Sequence, residues 1–76
     1  MSKDPIEIVA DRIRDLRAKK NWSQEELAEK SGLHRTYVGA VERGERNITL
    51  RTLNCIAQAL GCEMPDLLQA QPKKTR

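Results

Sequence analysis

Four side chains within one nine-residue run, Arg35, Thr36, Tyr37 and Arg43, carry the polar chemistry that stands out in this chain. Arginine ends in a planar fork of donors that matches the O6 and N7 acceptors of guanine, a contact worth about 1–3 kcal/mol of discrimination between bases. Thr36 offers a hydroxyl to a base edge and a methyl to thymine. Tyr37 is the only Tyr in a chain without Phe. It combines a ring that packs with a hydroxyl that can reach outward. This is chemistry of recognition by hydrogen bonding. Bond-breaking chemistry has no comparable set. The chain has a single His, His34, with no nucleophile–His–acid grouping and no phosphate-cradling glycine loop, so no enzyme is expected. Cys55 and Cys62 lie seven apart without a CxxC pair, which argues against a metal or cofactor and leaves them as small packing residues.

Recognition side chains need a rigid element behind them, and residues 23–44, SQEELAEKSGLHRTYVGAVERG, read as two short helices around a glycine turn. Ser23 with Glu26 three residues on forms a capping box, and Trp22 before the cap stands at hydrophobic-staple spacing from Leu27. Gly32 stops the first helix. The second starts near His34 and runs to Arg43, with Gly44 as its stop. His is a poor cap, which leaves that start loosely specified. Counted from Gln24, a small residue, Ala28, comes fifth, Gly32 ninth, and the β-branched Val38 and Val41 fifteenth and eighteenth. This is the spacing of a helix-turn-helix, whose second helix enters the major groove. Its outer face is expected to present Arg35, Thr36, Gly39, Ala40 and Arg43, with the bare Gly39 letting the helix sit deeper. Ser23 and Gln24, at the N-terminus of the first motif helix, are placed for DNA phosphate. Arg46, Asn47 and Thr49 are placed to hold the backbone on the other side.

The rest of the chain supports this unit. Asp4-Pro5-Ile6-Glu7 is a helix start, and the helix is expected to reach about Lys20, with Val9, Ile13 and Leu16 inward and Asp11, Arg12, Arg14 and Asp15 outward. Arg17 falls close to the inward stripe and Glu42 at the inner edge of the recognition helix, where they are either paired or separately solvated. Thr49 caps a fourth helix to Leu60, with a stripe of Leu50, Leu53, Ile56, Ala57 and Leu60, and Gly61 stops it. A short fifth helix begins near Met64. Met64, Leu67 and Leu68 are more apolar surface than so short a helix can hide, and are expected to form a homodimer interface. The organisation expected is a frayed start at 1–4, one all-α, five-helix domain at 5–70, and a disordered basic tail at 71–76.

Bulk properties agree. A chain of 76 residues makes one domain whose core is marginal alone. The net charge of +3 equals what Lys73, Lys74 and Arg76 supply, so nucleic-acid binding must rest on where charges lie. No apolar run approaches a membrane span and no leader peptide is visible, so a cytoplasmic, nucleoid-associated protein without membrane or small-molecule partners is expected.

The stretch from Gln24 to Gly44 resembles the lambda-repressor/Cro-like helix-turn-helix family, and the resemblance extends from about Ile8 to Leu68. The run HRTYVGAVERGERNITL is similar to the controller proteins of restriction–modification systems. The resemblance implies a lambda-repressor-like fold, an ion pair between Arg17 and Glu42, and Tyr37 lying next to DNA. It implies a dimeric regulator of transcription, activator or repressor, on a pseudo-palindromic double-stranded operator, with RNA polymerase as a candidate further partner. A phage-type repressor and an antitoxin-like protein-binding module of the same fold are the alternatives.

Overall fold

The computed structural model describes residues 4–45 and 48–69, which form five helices. They are α1 (Pro5–Lys19), α2 (Gln24–Ser31), α3 (Arg35–Glu42), α4 (Leu50–Leu60) and α5 (Met64–Leu67). Residues 1–3 of the start expected to fray at 1–4, Arg46, Asn47 and the tail expected at 71–76 lie outside the described residues.

Local chemistry sets each boundary. Asp4 accepts the Ile6 N–H at 2.8 Å ahead of a first-turn proline. Ser23 and Glu26 close the expected capping box at 3.0 and 2.8 Å. Thr49 caps α4 by accepting from the Thr52 N–H at 3.1 Å. His34 is the N-cap of α3 without a side-chain bond, and the helix starts near it, as expected, at Arg35. The ends of α1 to α4 share one device. At α2, Leu33 N donates back to the Ala28 carbonyl at 2.9 Å across left-handed Gly32 (φ 74°). The equivalent bond closes α3 across Gly44, from Glu45 N to the Ala40 carbonyl at 3.0 Å, and α4 across Gly61, from Cys62 N to the Ala57 carbonyl at 2.9 Å. Helix α1 uses Asn21 (φ 61°) instead, the non-glycine residue that best tolerates that conformation.

Helix α2 packs on α3 and α4, and α1 lies across α3, α4 and α5. Their shared core holds Val9, Ile13, Leu27, Ala28, Val38, Val41, Leu53, Ile56, Ala57, Leu60 and Leu67. Leu16, Trp22, Leu33, Tyr37, Ile48 and Met64 pack around it, half-buried. Trp22 is covered by the Lys20 and Lys30 ammonium groups, each 5.1 Å from the ring centre.

Three expectations need correction. Leu50 was expected in the inward stripe of α4, yet as the first residue of that helix it is 70 % exposed, and the buried stripe begins at Leu53. Leu67 was expected at a dimer surface, yet it is fully buried in its own protomer's core. Arg12 was expected on the outer face, yet its Nε donates to the Asp66 carbonyl at 3.0 Å and ties α1 to the last helix.

Candidate nucleic-acid interface

Glu42 is the buried charged residue among those described, 1 % exposed, and the orientation of α3 is built on it. Two neighbouring turns of α1 reach it. Arg17 donates from Nε to one carboxylate oxygen at 2.7 Å and from Nη2 to the other at 2.8 Å. This is the bidentate geometry that makes an Arg–carboxylate pair both strong and directional. The third Arg17 nitrogen, Nη1, donates to the Trp22 carbonyl at 2.8 Å, so the chain entering α2 is fixed by the same guanidinium. The hydrogen bond to Glu42 pushes the Arg17 pKa further up, against an opposing effect of burial. One turn earlier, Arg14 Nη1 donates to the main-chain carbonyl of Glu42 at 2.7 Å, while its Nη2 pairs with Asp11. The last turn of α3 is therefore gripped at side chain and backbone, with guanidinium charge at the negative end of its dipole.

Gln24 completes the arrangement from α2. Its Nε2 donates to the Glu42 Oε1 at 3.1 Å. A carboxylate can only accept, so the amide nitrogen must turn inward. The Gln24 side chain thus engages Glu42, although Gln24 was expected at a phosphate-binding helix start.

With α3 held so, Arg35 and Thr36 are exposed at its N-terminal turn. Tyr37 is half-buried, its ring against the core. Arg43 is exposed at the C-cap, and its Nε and Nη2 are taken by Glu45 at 2.9 and 3.2 Å. That pair lowers the Glu45 carboxyl pKa, through the hydrogen bond first and the charge second. Ser23 and Thr49 are exposed at the starts of α2 and α4, both engaged as caps. Any phosphate contact there falls to the helix starts themselves. Gly39 and Ala40, expected on the open face, are buried: Gln24 and the Arg43 guanidinium lie over Gly39. Among the described residues, no group of three or more His, Cys, Asp or Glu side chains could hold a metal ion.

Arg17, Gln24 and Glu42 thus meet at the last turn of α3, while Arg35 and Thr36 stay exposed at its first. The helix-turn-helix family pattern matches residues 13–67, which takes in the whole of this arrangement. The chain belongs to the helix-turn-helix family. Within that family it is 56 % identical over 71 residues to the control protein C.SmaI of Serratia marcescens, an alignment covering 93 % of this chain and 84 % of that protein. The restriction–modification controller protein C.AhdI from Aeromonas hydrophila has a similar structure, with 47 % identity and a TM-score of 0.79 over 82 % of this chain and 94 % of that one. The hypothetical transcription factor NHTF from Neisseria is similar too, with 46 % identity and a TM-score of 0.86 over 88 % of this chain and 77 % of that one. This helix-turn-helix protein is accordingly a DNA-binding transcriptional regulator of the controller type, and not an enzyme.

Residue patterns alone did not reveal the Arg14 bond to the Glu42 carbonyl, the Gln24 bond to its carboxylate or the burial of Gly39. The signal for Arg14 was its i, i+3 spacing from Arg17 on α1. For Gln24 no one-dimensional signal exists, because its partner lies eighteen residues away on another helix.

Proposed function

We propose that the protein binds a pseudo-palindromic double-stranded operator as a homodimer and regulates restriction–modification genes, including its own. The observation that carries this is the two-point hold on Glu42, which fixes α3 while Arg35 and Thr36 stay exposed on it. In this reading Arg35, Thr36, Tyr37 and Arg43 meet base edges. The start of α2 at Ser23, together with Arg46, Asn47 and Thr49, meets the sugar–phosphate wall. Arg43 keeps one guanidinium nitrogen, Nη1, beyond those engaged by Glu45. The dimer forms through Met64 and Leu68. Leu68, the C-cap of α5, is 51 % exposed, and Met64, four residues earlier at the start of α5, is half-buried. RNA polymerase is the further partner wherever the bound protein activates. The place of action is the cytoplasm, on the nucleoid; among the described residues no helix is long and apolar enough to cross a membrane.

Selection of bound duplexes from a random pool tests this. Two inverted half-sites should emerge with centres about 34 Å, one helical turn, apart. Enrichment of a single undivided motif would remove the dimer from the proposal, and no enrichment at all would remove the operator.

A further inference from the structure

We infer that Gln24, on α2, is a specificity-determining residue that reads an adenine from the middle of the recognition surface, an inference that rests on the operator-binding reading above. Arg35, Gly39 and Arg43 recur every four residues and so share one face of α3, with Thr36 beside them. Gly39 contributes no side chain to the centre of that face. The space is filled from the neighbouring helix. A Cβ built on Gly39 would stand 3.3 Å from the Gln24 Oε1 and 3.2 Å from the Arg43 Nη1. The carboxamide of Gln24 therefore lies over the centre of the α3 face, between Arg35 and Arg43.

Its orientation is fixed by chemistry. The Glu42 carboxylate, itself clamped by Arg17, accepts one Gln24 N–H at 3.1 Å. An amide nitrogen carries two hydrogens, so one N–H and the carbonyl oxygen remain. An acceptor next to a donor is the edge that complements the N6 amine and N7 of adenine in the major groove. A bulkier residue at position 39 would displace this group, which gives the glycine a role that helix propensity opposes. The reading groups thus come from two helices: Arg35 and Thr36 from α3 itself, and the central amide from α2, oriented by Glu42.

The test compares wild type, Gln24→Met and Gln24→Ala in selection from a random duplex pool. Titrations on the selected operator and its single-base variants follow, below each variant's melting temperature. Methionine keeps the bulk over Gly39 without the hydrogen bonds, and alanine removes both. Both variants should lose about tenfold of the preference for an A·T pair at one position in each half-site, with preferences elsewhere kept. Equal weakening on every sequence, with the base preferences unchanged, would place Gln24 on phosphate and overturn the inference alone. A wild type that selects no sequence would overturn it together with the operator reading.

Discussion

Removing the Glu42 carboxylate should cost more than any other single polar change in this protein. In Glu42→Ala, Arg17 loses both of its carboxylate bonds and Gln24 loses its acceptor. An ion left without its buried partner costs about 3–5 kcal/mol. The low end applies, because 20 % of the Arg17 side chain reaches solvent and its Nη1 keeps the Trp22 carbonyl. A domain of this size has about 4–11 kcal/mol in total, so a loss of about 3 kcal/mol leaves little. Each kcal/mol moves the melting temperature by about 4–8 °C in so small a domain, which predicts a fall of about 12–24 °C. Thermal and urea melts followed by circular dichroism measure it. The double variant Arg17→Met/Glu42→Leu separates causes. If the cost is the orphaned charge, replacing both ions by apolar groups should recover most of the stability, although Gln24 and the Trp22 carbonyl stay unpaired. A drop under about 3 °C for Glu42→Ala, or a double variant no more stable than the single, would refute the reasoning.

Further expectations follow from the same geometry. Leu68→Asp should leave a folded protomer that sediments as a monomer, whereas Leu67→Asp, at a fully buried site, should unfold the protomer itself. A wild type that is monomeric at tens of micromolar contradicts the dimer. Arg35→Ala should relax discrimination at one base pair per half-site by about 1–3 kcal/mol, seen in titrations on single-base operator variants. A uniform loss across those variants would make Arg35 a backbone contact. Burial, then the Asp66 charge, pushes the Cys62 thiol pKa up. Its reactive thiolate is therefore scarce near neutral pH, and iodoacetamide should modify Cys62 more slowly than free cysteine at pH 8, as read by mass spectrometry.

The helices were legible in the sequence wherever local chemistry decides. Ser23–Glu26, Thr49, Asp4-Pro5 and the glycines at 32, 44 and 61 act within a turn of themselves, and each does in the structure what its type indicates. Periodicity did less well at the ends of elements. Leu50 keeps the register of the α4 stripe, but burial of that stripe begins only at Leu53, one turn further on. Leu67 fails in the other direction. An apolar residue on a four-residue helix looks surplus until the fold folds that helix back on α1 and α4, and there Leu67 fills the core.

The proposed recognition surface can be written from the sequence as a list of residues, but how its parts pack cannot. Arg35 and Thr36 are candidates by type and position on one helix, and both are exposed there. Gly39 misled, because the sequence shows a gap in the α3 face and does not show what occupies it. The occupant depends on how α2 packs on α3. That packing brings Gln24 within hydrogen-bonding distance of Glu42, and the bidentate hold of Arg17 leaves the carboxylate no freedom to move away. A buried ion pair is weak evidence for stability, since apolar residues of the same volume often do as well. Here it has a second consequence that apolar residues could not reproduce. It supplies a fixed acceptor at the base of the recognition surface, and that acceptor decides which end of the Gln24 amide faces out. An apolar core at Arg17 and Glu42 could keep the fold, but it would leave Gln24 free to turn over. Arg17→Met/Glu42→Leu should therefore regain stability without regaining the wild-type base preference that depends on Gln24. If the double variant recovers both, orientation of the amide does not come from the ion pair.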